Sequence, residues 1–173
     1  FIIYNFSATT KLNSETILID ALDQKKLTES IKKINPDLII NCVGLLIQDS
    51  HNKPDLAVYL NSYLPLLLEE ILNENKSKLI HISTDCVFSG DKKSSYEEED
   101  FKDATDIYGL SKSLGEQLGP QTLVLRTSII GPELKKTGTG LFNWFMSQSG
   151  SIEGYKKMIW SGVTTLELSK AIY

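Results

Sequence analysis

Short apolar runs alternate with amphipathic helical segments along most of this chain, and this alternation restricts the fold. Runs rich in branched residues predict strands at 1–6, 16–20, 37–43, 79–83 and 122–127. A helical spacing of apolar residues predicts helices at 23–34, at 54–75 with a kink at Pro65, and at 107–118. The sequence therefore predicts an α/β fold with a Rossmann-like, doubly wound and mostly parallel sheet, which binds ligands at the carboxyl ends of its strands.

The last third of the chain carries weaker signals. Residues 141–148 predict a short aromatic helix, and Thr164–Glu167 resembles a capping box that opens a final helix. Gly138 and Gly140 are close in sequence, but they lack a preceding strand and a third glycine, so we do not expect a phosphate loop there.

The composition excludes several classes of protein. A net charge of −4 over 173 residues argues against nucleic acid as a partner. The longest apolar segment, 56–72, is interrupted by Asn61 and Pro65, and we see no leader sequence, so we expect no membrane span. Two cysteines, Cys42 and Cys86, form no disulfide framework, which favours a cytoplasmic location. No metal site is predicted.

One strand ends in polar residues that face a predicted helix. The apolar run 79–82 leads directly into Ser83, Thr84 and Asp85. Tyr108 and Lys112 are one helical turn apart and therefore share a face of the helix at 107–118. A hydroxyl at a strand end beside a Tyr and a Lys is suited to proton transfer to a carbonyl substrate. The alternative is that Tyr108 and Lys112 are merely a surface pair on an amphipathic helix.

These motifs resemble the extended short-chain dehydrogenase/reductase family. The Ser-Thr-Asp-Cys-Val-Phe segment at 83–88, followed by Tyr-x-x-x-Lys at 108–112, is most similar to the dTDP-4-dehydrorhamnose reductase branch. The likeness extends from about residue 20 to residue 132. It implies NAD(P)H-dependent reduction of a nucleotide-linked 4-keto-6-deoxy sugar, in the synthesis of cell-surface polysaccharides.

The resemblance implies catalytic roles for four residues. Tyr108 is the expected general acid, and Lys112 is expected to lower its pKa and to bind the nicotinamide ribose. Thr84 is expected to orient the substrate carbonyl. Asn61 matches a helix asparagine that supports proton relay, although a role in helix packing is an open alternative. Substrate contacts are expected from Asp85, Cys86, Val87 and Ile129.

The resemblance also implies a set of cofactor-binding residues for NADP(H) or NAD(H). Besides Tyr108 and Lys112 they are Asp20, Ala21, Cys42, Val43, Gly44, Ser83, Thr127 and Ser128. Asp20 could instead be a carboxylate at the start of a helix. Gly44 could instead be an ordinary glycine in the loop after a strand. Arg126 could instead anchor a buried ion pair, and His81 fits packing better than catalysis. The 97–100 acidic run is expected to be a solvated loop.

The glycine-rich turn that binds a dinucleotide pyrophosphate does not occur in this sequence. We therefore interpret the chain as a fragment or a truncated member of the family, in which the first strand and glycine loop are missing. Residues 1–132 are expected to form an incomplete NAD(P)-binding domain, and residues 133–173 the start of a substrate-binding region.

Several alternatives remain open at this stage. Cys86 stands where Tyr is usual and Ile129 where an aromatic residue often occurs, which leaves the sugar undecided and admits a UDP-linked substrate. An epimerase or dehydratase of the same family is a second hypothesis. A non-catalytic regulatory homologue, such as a partner of methionine adenosyltransferase, is a third. The sequence does not decide between NAD and NADP, or between a monomer and a homodimer.

Overall fold

The computed structural model of the protein describes residues 2–74, 77–133, 140–157 and 160–173. The chain divides into two compact units, Phe1–Leu125 and Arg126–Tyr173. The predicted α/β class, with mostly parallel strand pairing, is confirmed.

The first unit alternates short strands with helices. Its strands are β1 (Phe6–Ser7), β2 (Ile17–Leu18), β3 (Leu38–Asn41), β4 (Lys78–Ser83) and β5 (Thr122–Arg126), of which the last reaches into the second unit. Its α-helices are α1 (Gln24–Ile34), α2 (Ile47–Asn52), α3 (Pro54–Ala57), α4 (Leu64–Asn73) and α5 (Ile107–Leu114). A π-helical segment, Val58–Tyr63, joins α3 to α4, and a 3-10 turn, Asp85–Val87, follows β4.

The strands of the first unit form two sheets in the described residues. Strands β1 and β2 pair in parallel, while β3, β4 and β5 form a second sheet in that order, with β3 and β4 parallel. The core is one cluster of buried side chains from both sheets and from two helices: Ile19, Leu27, Ile31, Leu64, Leu67, Leu68, Ile71, Leu72 and Leu79. Helix α4 packs against both α1 and β4, so this core lies beside the strand that leads to Ser83 and Thr84.

The predicted helix 54–75 is interrupted by the π-helical segment rather than by a simple kink. Pro65 is the second residue of α4 and has no amide proton to donate to the Asn61 carbonyl. Helix α5 approaches this carbonyl closely: a Cβ added at Gly115 would lie 2.0 Å from the Asn61 oxygen. Only glycine fits there, so this contact fixes α5 against the π-helical segment.

The second unit contains a parallel strand pair and two helices. Strands β6 (Ile129–Ile130) and β7 (Val163–Thr164) pair, and α6 (Leu141–Met146) and α7 (Thr165–Ile172) complete the unit. Helix α7 begins as the capping box predicts, because the Thr164 hydroxyl accepts a hydrogen bond from the Glu167 amide.

The first strand and helix α5 are shorter than predicted, and one helix is additional. The first strand is confined to Phe6–Ser7, since only β2 pairs with it, and Ile2 and Ile3 are exposed. Helix α5 ends at Leu114 instead of 118, because Gly115 terminates it. Helix α2 was not predicted. Among the described residues, no helix combines the length and the apolar character that crossing a bilayer requires.

Candidate active site at the carboxyl end of strand β4

Thr84 lies directly after β4 and is held in place by its own local turn. It is the N-cap of the 3-10 turn, where its Oγ1 accepts a 3.2 Å hydrogen bond from the Cys86 amide. The Thr84 side chain is also close enough to the Tyr108 phenol to lower the pKa of that phenol. The structure thus brings together two hydroxyl groups that the sequence predicts to be partners.

Tyr108 is positioned by the start of helix α5. Asp106 caps this helix, because its Oδ1 accepts hydrogen bonds of 3.0 Å from the amides of Tyr108 and Gly109. A carboxylate at this position is favourable because it meets the unpaired amides of the first turn. The cap therefore fixes the residue whose phenol meets Thr84.

The prediction that Lys112 lowers the pKa of Tyr108 is wrong for this structure. Burial raises the pKa of the Tyr108 phenol above its usual 10.0, the Thr84 side chain acts against this rise, and nearby negative charge, including Asp85 and Asp106, adds to it. The Lys112 amine is directed elsewhere: its Nζ donates a 2.7 Å hydrogen bond to the Ile82 carbonyl. Tyr108 is therefore a neutral phenol, and a proton donor, at physiological pH.

The amine of Lys112 is buried. Only 4% of the residue is exposed, and this burial lowers the pKa of its amine from 10.5 to about 8, although Glu116 and Cys42 raise it. At neutral pH the amine is still protonated. It lies beside Gly44, where an added Cβ would be 3.7 Å from the Lys112 Nζ.

Asn61 joins the π-helical segment to the loop after β3. Its Oδ1 accepts a 2.8 Å hydrogen bond from the Leu45 amide, and its Nδ2 donates to the Leu45 carbonyl at 3.1 Å. The same Nδ2 donates to the Ser111 hydroxyl at 3.0 Å. This position is compatible with a role in helix packing and with a role in proton relay. Asn61 packs between helices, and it also lies near Gly44 and the Lys112 amine.

The residues at the end of β3 form an open edge beside Lys112. Cys42, Val43 and Gly44 follow the strand and are exposed, and the Val43 amide donates to the Asn41 side chain at 3.1 Å. Desolvation by the surrounding protein atoms raises the pKa of the Cys42 thiol, and the Lys112 charge lowers it. Gly44 leaves a space that a Cβ would fill, 3.1 Å from the Asn61 Oδ1. This edge can receive a ligand close to the amine.

Asp20 and Ala21 lie after β2 in a turn. The Asp20 Oδ1 accepts a 2.9 Å hydrogen bond from the Leu22 amide, whereas Asp23, not Asp20, caps helix α1. The Ala21 carbonyl accepts a hydrogen bond from the Tyr59 hydroxyl at 3.3 Å. The adenine-binding role of Asp20 and Ala21 stays a prediction.

Of the three predicted substrate residues in the first unit, Cys86 lines a surface cavity, whereas Asp85 and Val87 do not. Cys86 lines this cavity of about 410 Å³ together with Phe88, Ser89, Asp91, Asp103, Ala104, Thr105 and Asp106. Asp85 is partly exposed, and its Oδ1 accepts a 3.3 Å hydrogen bond from Thr84. Val87 has no exposed surface and offers no contact to a ligand in this structure.

Three further predicted residues, Thr127, Ser128 and Ile129, belong to the second unit. The Thr127 hydroxyl donates to the Ser128 carbonyl at 2.9 Å, and Ile129 begins β6 with 42% of its surface exposed. Their cofactor and substrate roles stay predictions. The glycine pair at 138–140 falls largely outside the described residues.

His81 is a packing residue, as the sequence favours. It is fully buried on β4, its Nδ1 lies 3.1 Å from the Asn41 Nδ2, and its Nε2 meets no hydrogen-bonding atom in the described part of the chain. Burial lowers the pKa of His81 to about 4, with the Lys112 charge as a second cause. The ring is neutral at physiological pH.

Sequence reasoning gave no site role to Asp106, Ser111 or Glu116. Asp106 carries a readable signal, because an Asp directly before a helical run predicts an N-cap. Ser111 and Glu116 carry none, since their partners are distant in sequence: Ser111 bonds Asn61, and the Ser83 hydroxyl donates to Glu116 at 2.5 Å. Among the described residues, no three His, Cys, Asp or Glu side chains are grouped as metal ligands.

Comparison with known proteins agrees with this arrangement. The RmlD substrate binding domain family matches residues 5–146, which is most of the chain and includes Thr84, Tyr108 and Lys112. The chain belongs to the RmlD substrate-binding domain family. The resemblance to the dTDP-4-dehydrorhamnose reductase branch is thereby confirmed.

Individual relatives of this RmlD-family chain are reductases by name. A probable low-salt glycan biosynthesis reductase of Haloferax volcanii is 32% identical over 65% of this chain and 39% of its own length. A hypothetical dTDP-4-dehydrorhamnose reductase of Sulfolobus tokodaii is 31% identical, with a TM-score of 0.67, over 72% of this chain and 47% of that one. The Bacillus anthracis dTDP-4-dehydrorhamnose reductase, solved with NADP, is 27% identical with a TM-score of 0.60, over 67% and 46%.

The RmlD-family chain spans about two fifths of the length of the curated relatives it matches. The activity of the whole protein is therefore a matter of proposal.

Proposed function

We propose that this chain carries the proton-donating part of an NADPH-dependent reductase, which reduces the C4 ketone of a nucleotide-linked 6-deoxy sugar for cell-surface polysaccharide synthesis. The observation that carries the proposal is the placement of Thr84 directly after β4, where its side chain acts on the buried Tyr108 phenol, with Lys112 one helical turn from Tyr108. The wider classification as an extended short-chain dehydrogenase/reductase belongs to the same proposal.

The protonation state of the site supports reduction. Burial and neighbouring negative charge keep Tyr108 as a phenol, which can give its proton to a ketone oxygen. Thr84 is placed to hold that oxygen by a hydrogen bond. The aspartates near the phenol disfavour the phenolate that would act as a base in the reverse direction.

The residues at the end of β3 fit a dinucleotide cofactor. Gly44 leaves room for a ligand next to Asn61 and Lys112, and a protonated amine is suited to bind ribose hydroxyls. The cofactor would supply the hydride when bound. Lys112, Tyr108 and the main chain around Gly44 would hold it, in keeping with the NADP of the Bacillus anthracis relative.

The substrate is proposed as a 4-keto-6-deoxyhexose linked to dTDP, by analogy with the named relatives. Cys86 and Asp106, which both act on the pKa of the Tyr108 phenol, also line the surface cavity. We propose that the sugar enters from this side.

The test uses the complete protein to which this chain belongs. It is mixed with NADPH and with dTDP- or UDP-linked 4-keto-6-deoxyhexoses, and NADPH consumption is followed by absorbance. We expect consumption that depends on the sugar nucleotide. Absence of consumption with all of them would contradict the proposal, and protein that purifies with bound NAD would favour an epimerase or dehydratase instead.

A further inference from the structure

A buried carboxylate is bonded to Ser83, the residue before Thr84, and takes no part in the proposed proton transfer. Glu116 follows the end of helix α5, and only 2% of its side chain is exposed. Its Oε1 accepts a 2.5 Å hydrogen bond from the Ser83 hydroxyl, and its Oε2 lies 3.0 Å from the Lys102 amine. Burying a carboxylate is unfavourable unless hydrogen bonds and an opposite charge compensate, and Glu116 has both.

Both partners of Glu116 belong to segments that build the site. Ser83 is the last residue of β4 and directly precedes Thr84. Lys102 lies in the loop that leads into α5. Glu116 therefore joins the end of the strand, the incoming loop and the end of the helix. A movement of any of these segments would change the distance between the two hydroxyl groups.

Glu116 also acts on Lys112 through its charge. The Lys112 amine donates to a neutral acceptor, the Ile82 carbonyl, and is almost fully buried. The titratable groups that act on its pKa are Glu116 and Cys42 at the end of β3, and His81 on β4 is itself affected by the Lys112 charge. His81 is neutral at physiological pH, so the carboxylate of Glu116 is the main negative charge that opposes the effect of burial.

We propose that Glu116 is a positioning residue for this site, which holds the end of β4 against helix α5 and supplies the negative charge that offsets the Lys112 ammonium. The importance of this role for catalysis rests on the proposed function. The role itself is measurable without turnover, because it concerns the ionisation of Lys112 in the folded chain.

The experiment titrates the Lys112 amine by NMR in folded protein that contains lysine labelled with carbon-13 at Cε, and Lys112→Arg assigns the signal. Glu116→Gln keeps an oxygen acceptor for Ser83 but removes the charge. We expect the Lys112 midpoint to fall by about one pH unit from its value of about 8.

Glu69→Gln is the matched control. Glu69 also accepts two short hydrogen bonds, from the Gly119 amide at 2.7 Å and the Thr122 hydroxyl at 2.5 Å, and joins α4 to the start of β5. It is not among the groups that influence Lys112. We expect Glu69→Gln to lower thermal stability while the Lys112 midpoint stays unchanged.

A second variant keeps the proposal testable if Glu116→Gln does not fold. Lys102→Gln removes the cation that neutralises Glu116, at a residue whose side chain is 21% exposed, and we expect the Lys112 midpoint to rise. An unchanged midpoint in a folded Glu116→Gln or Lys102→Gln variant overturns the proposal, as does an equal shift in Glu69→Gln. If the Lys112 midpoint shifts as expected but the complete protein consumes no NADPH, the reductase function is rejected and the positioning role of Glu116 is retained.

Discussion

Asn61 pairs with the main chain of Leu45 through both of its side-chain polar atoms, at 2.8 Å and 3.1 Å. The pair attaches the loop after β3 to the π-helical segment that precedes α4. Such segments occur often at functional sites. The loop that contains Gly44 is thus held next to the Lys112 amine by one asparagine.

Replacement of Asn61 should destabilise the protein. Asn61→Leu removes the acceptor of the Leu45 amide and the amide that donates to the Leu45 carbonyl and to the Ser111 hydroxyl, although the Ser50 hydroxyl still donates to that carbonyl. We expect a loss of about 2–3 kcal/mol in the free energy of unfolding. Urea denaturation measures it. Ser62→Ala removes one buried hydrogen bond, from the Ser62 hydroxyl to the Ser111 carbonyl, and should cost about 1 kcal/mol. A loss for Asn61→Leu no larger than this would contradict the expectation.

The contact between α5 and the π-helical segment depends on Gly115. A Cβ there would lie 2.0 Å from the Asn61 carbonyl oxygen, which belongs to the backbone and cannot rotate away. We expect Gly115→Ala to cost about 1–3 kcal/mol or more in unfolding free energy, measured by thermal or urea denaturation. Gly154→Ala is the control, because no atom lies within 4 Å of an added Cβ. Equal stability of the two variants would contradict the packing.

Removal of the Tyr108 hydroxyl should abolish most turnover. In the complete protein, Tyr108→Phe eliminates the proton donor but leaves the ring, so we expect turnover to fall about 10²–10⁴-fold while NADPH binding persists. Steady-state kinetics and calorimetry measure these two quantities. Tyr4→Phe, at an exposed tyrosine, is the control and should retain full activity. Turnover of Tyr108→Phe at the control level would remove the general-acid role.

Binding of NADPH should depend on the ionisation of Lys112. The pKa of its amine is about 8, so the protonated form that can donate hydrogen bonds is lost as the pH rises through this value. We expect the dissociation constant for NADPH, measured by calorimetry on the complete protein, to increase above about pH 8. Lys112→Arg should flatten the profile, since an arginine stays charged. A flat profile for the unmodified protein would show that Lys112 does not bind the cofactor.

His81 should make the protein sensitive to mild acid. Its pKa is about 4 in the folded state and 6.5 in an unfolded chain, so the unfolded state binds more protons between these values. The free energy of unfolding should therefore fall as the pH decreases from about 6.5 to 4, by up to about 3 kcal/mol. Urea denaturation at several pH values measures the slope.

The control for this slope uses the other histidine. His81→Leu should reduce the dependence on pH, whereas His51→Gln, at an exposed residue, should leave it unchanged. An identical slope in both variants would show that His81 is not the titrating group.

Much of the candidate site follows from local sequence. The apolar run before Ser83 and the spacing of Tyr108 and Lys112 are local signals, and they predicted the strand end, the helix and the pair of hydroxyl groups. The electrostatics of the site did not follow from the local sequence. Sequence spacing suggested that Lys112 would act on Tyr108, whereas the amine is directed to the Ile82 carbonyl and burial dominates the pKa of the phenol.

The sequence by itself determined the α/β class and the family, and it predicts the residues that we propose to carry the chemistry, because these depend on periodicity and on motifs within a few residues. Only the tertiary structure decided that Asn61 pairs with Leu45, that Glu116 joins Ser83 to Lys102, and that Tyr108 is a neutral phenol. These outcomes depend on burial and on contacts between residues distant in sequence. No local pattern of residue types encodes either quantity.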